Sequence, residues 1–271
     1  MSDDLTLLSV AALRERFAAQ APTPEELAAL QNDARAGVRA LAKSFVNRQQ
    51  KAAAEQQRLL KRLRYEQALW DRGVVHVAGC DEAGMGPLAG PVVAAAVILR
   101  RDDPIEGVDD SKLLDPEERD RLAVEIHARA VAWAVGLATH EEIDAINIRQ
   151  AGMLAMQRAL EGLRPVPDHV LLDARGIAAF PVPQTPIIRG DSLSLSIGAA
   201  SILAKTRRDA LMLAADAQYP GYGFAIHKGY PVPMHLEALR RLGACEIHRR
   251  TFAPVRDVIE QRLRQAKLFE R

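Results

Sequence analysis

Apolar residues recur along the chain in two rhythms, and the change from one to the other divides it. Leu27, Leu30, Ala34, Val38, Leu41 and Phe45 follow one another at three- and four-residue steps, the spacing of one helix face. Thr23-Pro24-Glu25-Glu26 opens that helix, with Thr23 as N-cap, Pro24 at the first helical position and Glu26 placed to close a capping box. No proline follows before Gly73, which predicts one long helix broken at most once. From Val74 the pattern shifts to short apolar runs between turn residues. Residues 74–78, 92–99, 130–138, 169–172 and 185–188 read as strands. Helices are predicted from Asp115-Pro116 to Arg129, over 141–163, over 196–217, and twice more near the C-terminus. Strands first, then strand and helix in alternation, predict an α/β fold with a mixed five-stranded sheet flanked by helices. The expected division is a helical extension over residues 1–72 and a sheet-bearing domain over 73–271 that ends in helices.

Charge alters this picture locally. The 36 basic and 35 acidic residues nearly cancel, to a net +1, so no whole-molecule attraction to nucleic acid is expected. Between residues 39 and 64, however, Arg39, Lys43, Arg48, Lys51, Arg58, Lys61, Arg62 and Arg64 meet only Glu55, giving a basic helix face. It suits a phosphate backbone, and equally a solvated or partner-packed surface. Cys80 and Cys245 lack the spacing of a disulfide framework or a zinc site, as expected of a reducing compartment. Met1-Ser2-Asp3-Asp4 carries acids where a secretory signal carries bases. The longest apolar run, 92–99, is far short of the ~20 residues that span a bilayer, so no membrane association and a cytoplasmic location are expected.

The densest chemistry is Gly79-Cys80-Asp81-Glu82-Ala83-Gly84-Met85-Gly86-Pro87-Leu88-Ala89-Gly90-Pro91. Two adjacent carboxylates at a strand end repel each other and call for a cation. Asp173 and Asp191 also follow short apolar runs, and strand ends lying side by side can bring such acids together. Each of these two alone also suits a turn or a helix N-cap. Four carboxylates without histidine or cysteine suit magnesium or manganese, and two such ions support phosphoryl transfer by an activated water. Gly84, Gly86 and Gly90 also bear a weak likeness to a dinucleotide loop, although a strand follows where that motif needs a helix.

With Asp110-Ser111-Lys112, Ala200-Ser201-Ile202-Leu203-Ala204-Lys205, Tyr222-Gly223-Phe224 and His227-Lys228-Gly229-Tyr230-Pro231 in order after it, the glycine block resembles the ribonuclease HII family over residues 77–255. The resemblance implies a ribonuclease H-like fold and a metal-dependent endonuclease that cleaves RNA in RNA/DNA hybrids and at single ribonucleotides in duplex DNA, leaving 3′-hydroxyl and 5′-phosphate ends. It implies that Asp81, Glu82, Asp173 and Asp191 are catalytic and bind Mg2+ or Mn2+, two ions per site during catalysis. It also implies that the Gly84-Met85-Gly86 backbone recognises the ribose 2′-hydroxyl and that Tyr230 stacks on the adjoining sugar. Ser201, Lys205 and Arg208 are expected phosphate contacts, His227 and His235 structural or near the substrate backbone, and the enzyme a monomer. Met85 replaces a basic residue usual in the family, which leaves open a nucleic-acid-binding protein with weakened or lost cleavage. Ala174 stands where glycine is common.

Overall fold

The computed structural model describes residues 5–178 and 180–269; the acids of Met1-Ser2-Asp3-Asp4 lie outside them. The chain forms two compact units, Met1–Lys61 and Arg62–Arg271. In the first, helices α1 (Val10–Arg16), α2 (Pro24–Gln31) and α3 (Ala36–Arg62) bury Leu13, Phe17, Leu30, Val38, Leu41, Ala42 and Phe45. The rings of Phe17 and Phe45 meet edge to face, with centroids 5.7 Å apart. The capping box at Thr23 and Glu26 is present as expected.

The single long helix is not. It is three, with α4 (Arg64–Trp70) following a turn at Leu63. The first break has a local cause. The Asn32 side chain donates to the Ala28 carbonyl, and Asp33 accepts from the backbone N–H and the guanidinium of Arg35, so side chains take over the hydrogen bonding that would continue the helix. Hydrophobic spacing does not register such a turn.

The second unit holds a five-stranded sheet of β1 (Val77–Ala83), β2 (Val92–Ile98), β3 (Ala132–Ala138), β4 (His169–Asp173) and β5 (Gln184–Ile187), in the order β3-β2-β1-β4-β5. β1–β2 and β2–β3 are antiparallel, while β1–β4 and β4–β5 are parallel, the mixed sheet that was expected. The first strand runs five residues past its expected end at Ala78, to Ala83, so Asp81 and Glu82 lie within it. Helix α5 (Pro116–Arg129) begins at the Asp115 cap. The expected helix over 141–163 is two, α6 (His140–Ile146) and α7 (Ile148–Glu161). Asn147 between them has φ +69° and caps α7 through its side chain. Four further helices follow: α8 (Gly190–Leu193), α9 (Leu195–Gln218), α10 (Phe224–His227) and α11 (Pro233–Leu242); α12 (Ala253–Phe269) ends the chain's described part.

Small residues in the strands let helices press onto both faces. Ala78, Cys80, Ala94 and Ala96 meet Ala151, Ala155, Met156 and Ala159 of α7 on one face. On the other face a side chain at Gly79 would have its Cβ 2.1 Å from the Ser196 carbonyl carbon and 2.3 Å from the Ile197 nitrogen, so β1 lies directly on the backbone of α9. Gly136 of β3 is held as closely to α7, where an added Cβ would lie 2.1 Å from the Ala155 oxygen. Alternation along a strand sends neighbours to opposite faces, so Asp81 follows Gly79 toward α9 and Glu82 turns toward α7.

Ala174, directly after β4, has φ +58°. That left-handed conformation is strained for any residue with a Cβ. Ala174→Gly is expected to stabilise the fold by about 1 kcal/mol, read as a higher urea midpoint at unchanged m value.

Candidate active site

Parallel pairing of β1 and β4 brings two carboxylates to the same sheet edge. Gly79 pairs with Leu171 and Cys80 with Leu172, so the next step of the register sets Asp81 level with Asp173. Neighbouring strands lie ~4.8 Å apart. Asp173 then pairs with Ile187 on β5, and the chain turns through Arg189, at φ +58°, into α8, whose second residue is Asp191. The Asp173 carboxylate accepts from the Gly190 N–H at 2.7 Å, which ties the end of β4 to that turn. A cleft of about 500 Å³ is lined by Asp81, Glu82, Asp173, Gly84, Met85, Gly86, Ser201, Lys205 and Tyr230 among others. The Lys112 ammonium reaches from its wall to Asp191, 3.2 Å away. Three of the four expected acids, Asp81, Glu82 and Asp173, line this cleft, while Asp191 lies outside its lining and is joined to it through Lys112; among the described residues no three His, Cys, Asp or Glu side chains stand as a ready-made metal cage.

The acids strain against one another. Burial raises Asp81 well above the ordinary carboxylate range, the charges of Glu82 and Asp173 add to it, and a hydrogen bond from Ser201 partly offsets it. Glu82 is raised by burial and by Asp173, and Asp173 by burial and by Asp191. Lys112 shows the complement: burial opposes its charge, but the hydrogen bond and charge of Asp191 outweigh it and push the ammonium up to about 12. An all-oxygen donor set under mutual repulsion, with an ammonium already drawn to it, fits a hard divalent cation.

The glycine loop is fixed from below by two buried arginines. Arg249, with no exposed surface, donates to the carbonyls of Gly84 (2.6 Å), Met85 (3.2 Å) and Gly90 (3.0 Å). Arg208, 1 % exposed, donates to the carbonyls of Ala89 and Pro91. Arg208, expected on a phosphate, instead lies under the loop; its long side chain leaves the helix face that Lys205 shares with the cleft. Gly84 has φ +99°, and a Cβ there would sit 2.2 Å from Arg208 Nε. With the loop carbonyls turned inward, the amides of Met85 and Gly86 have no partner among the described residues. Gly86 stands against the Tyr230 ring, which is 40 % exposed and lies over the Arg208 guanidinium at 5.8 Å. The Met85 thioether turns away toward Gly152 of α7.

His227 and His235 are buried, which fits the structural one of the two expected roles. His227 donates from Nε2 to the Tyr222 carbonyl and accepts from the Gly229 N–H, holding the turn before Tyr230. His235 donates from Nδ1 to the Tyr230 carbonyl and meets His248 at 3.1 Å. Ser201 bonds Ser111 across the cleft floor, and Lys205 pairs with Asp209 at 2.7 Å. Arg249 is not marked by the sequence because the carbonyls it meets lie more than 150 residues earlier; His248, and Arg119, which also lines the cleft, belong to no motif.

A mixed sheet in this order, with acids at the adjoining ends of parallel strands and on the turn beyond, is the framework of a ribonuclease H-like nuclease. Comparison with known proteins narrows this. The family model described as Ribonuclease HII matches residues 78–255, and that described as Ribonuclease HII N-terminal domain matches residues 9–70. Ribonuclease HII of Anaeromyxobacter sp. is 57 % identical over 269 residues, covering 98 % of this chain and 85 % of the relative. Ribonuclease HII of Myxococcus xanthus is 56 % identical over 260 residues, covering 95 % and 89 %. The crystal structure of ribonuclease H2 from Pyrococcus horikoshii aligns with a TM-score of 0.59 at 28 % identity, covering 69 % of this chain and 98 % of that one. The chain belongs to the ribonuclease HII family. It is a metal-dependent ribonuclease H, an endonuclease that cleaves the RNA strand of RNA/DNA hybrids. No helix among the described residues is long and apolar enough to cross a membrane.

The raised acids set a pH dependence. A carboxyl whose folded pKa exceeds its unfolded value stabilises the fold below the unfolded value, and that contribution is lost as pH rises through the folded pKa. Metal-free protein is therefore expected to lose stability from acid toward neutral pH through these groups. Asp81→Asn is expected to flatten that slope and to gain on the order of 1 kcal/mol at pH 8 in chelator, measured by urea unfolding of both proteins at pH 5 and pH 8.

Proposed function

We propose that the enzyme cuts at single ribonucleotides embedded in duplex DNA as well as in hybrids, leaving 3′-hydroxyl and 5′-phosphate ends. The observation that carries this reading is the pair of unpartnered amides at Met85 and Gly86, facing the carboxylate cleft beside Tyr230. A ribose 2′-hydroxyl is the one group that separates a lone ribonucleotide from its DNA neighbours, and it can accept from such amides. Tyr230, backed by Arg208, offers its face to the adjoining sugar. One ribose suffices for this recognition, so no longer RNA tract is needed.

Asp81, Glu82, Asp173 and Asp191 would hold Mg2+ or Mn2+, with two ions present during cleavage. When bound, such ions generate a nucleophilic water at neutral pH and neutralise charge on the leaving oxygen. The chain's own residues orient the scissile phosphate and exclude alternatives. Lys205 and Ser201 lie on the cleft wall within α9, where a phosphate oxygen would meet them. Lys112 keeps Asp191 turned toward the other acids. The enzyme acts as a monomer in this reading, located in the cytoplasm. The exposed second half of α3, with Arg48, Lys51, Arg58 and Lys61, lies along the duplex backbone.

The Met85 side chain favours retained cleavage over a binding-only protein, because it packs on Gly152 and leaves the loop amides unobstructed. With a duplex carrying one ribonucleotide and Mg2+ or Mn2+, wild-type protein is expected to cleave at that site and Asp81→Ala to lose at least about a thousandfold in rate. Tight binding without wild-type cleavage would instead favour the binding-only protein. Deletion of residues 1–61 is expected to weaken duplex binding and flatten its dependence on salt while kcat is kept; equal affinity across a salt series would exclude the α3 contact.

A further inference from the structure

Behind the turn that carries Asp191 lies a buried ion cluster that takes no part in the chemistry above. Arg62, the last residue of α3, is 6 % exposed, and Glu66 on α4 is fully buried. The Arg62 guanidinium donates to the backbone carbonyls of Asp191 (2.6 Å), Ser192 (3.1 Å) and Ser194 (3.5 Å) and to the Asp109 carboxylate (2.7 Å). The same Asp109 oxygen accepts from the Asp110 N–H. One planar group thus joins the Asp191 turn to the loop whose Lys112 holds the Asp191 carboxylate. Glu66 Oε1 accepts from Ser194 Oγ (2.5 Å), Ser196 Oγ (2.7 Å) and the Ser196 N–H (2.9 Å) at the start of α9. A carboxylate at that end of a 24-residue helix also meets the positive pole of its dipole.

The seat is shaped for the guanidinium. A Cβ at Gly198 would lie 2.4 Å from Arg62 Nη2 and 3.0 Å from the Asp191 oxygen. Burying two charges contributes little stability over well-packed apolar residues, whereas their directional bonds fix a backbone. We infer that Arg62 and Glu66 are positioning residues that set the main chain from Asp191 to Ser196 and so aim the Asp191 carboxylate at the other three acids. This rests on the reading of Asp191 as a metal ligand.

The full-length protein and its Arg62→Lys, Glu66→Gln and Asp191→Asn variants would be titrated with Mn2+ alone by calorimetry, with thermal unfolding to verify the fold. Lysine keeps the charge but cannot span three carbonyls and a carboxylate. Arg62→Lys and Glu66→Gln are expected to bind Mn2+ about tenfold or more weakly, with metal-free hybrid affinity within about twofold of wild type. Their kcat should recover at excess Mn2+, which a loss of folded protein would not allow. Unchanged Mn2+ affinity in the variants that fold, while Asp191→Asn loses it, would overturn the positioning role. Should Arg62→Lys not fold, Glu66→Gln decides. Intact Mn2+ binding in Asp191→Asn would instead remove the ligand reading, and the positioning role with it.

Discussion

The bare backbone contact between Gly79 and the first turn of α9 governs the site. Because no side chain separates them, strand and helix meet at the shortest distance their main chains allow. Two residues along the strand, Asp81 then falls beside Ser201, little more than one turn along the helix. The same helix begins at Ser194, whose hydroxyl caps it and bonds Glu66, immediately after the turn bearing Asp191. A larger residue at position 79 would push β1 off α9 and move Asp81 and Glu82 away from Ser201 and Lys205 on the cleft wall.

Stability and function pull in opposite directions here. Asp81, Glu82 and Asp173 are all driven above the ordinary carboxylate range by burial and by one another. The compensation comes from surrounding elements: hydrogen bonds from Ser201 and Gly190, and the ammonium of Lys112. Left-handed backbone at Ala174 and Arg189 flanks the same acids. Well-packed alanine-rich strands and α7 supply the rigidity that carries this strain.

Much of this was legible in the sequence because it is local. Alternation and short apolar runs predict five strands, and the acids at the ends of two of them, Asp81, Glu82 and Asp173, line the cleft. Breaks at Asn32 and Asn147 were not legible, since there a single polar side chain overrides an otherwise helical spacing. Arg208, expected on a phosphate, ends beneath the loop because three-residue spacing from Lys205 fixes a helix face but not where a long side chain ends. The carbonyls it meets lie more than a hundred residues earlier. Glu66 and Arg62 were hidden for the same reason: in sequence they are two charges in a basic helical stretch. The expected division after residue 72 and the compact units differ by residues 62–72, the last residue of α3 together with α4, and Arg62 and Glu66 in that stretch bond to partners about 130 residues onward.

Two guanidinium groups sealed beneath the glycine loop have an evolutionary implication. Because Arg208 and Arg249 hold its carbonyls inward, the loop's outward edge is written in main-chain amides, which every amino acid but proline supplies. Position 85 can thus drift from a basic side chain to a thioether without redrawing that edge. Inheritable change in what the loop offers would have to arise from the interior, at residues no ligand ever touches.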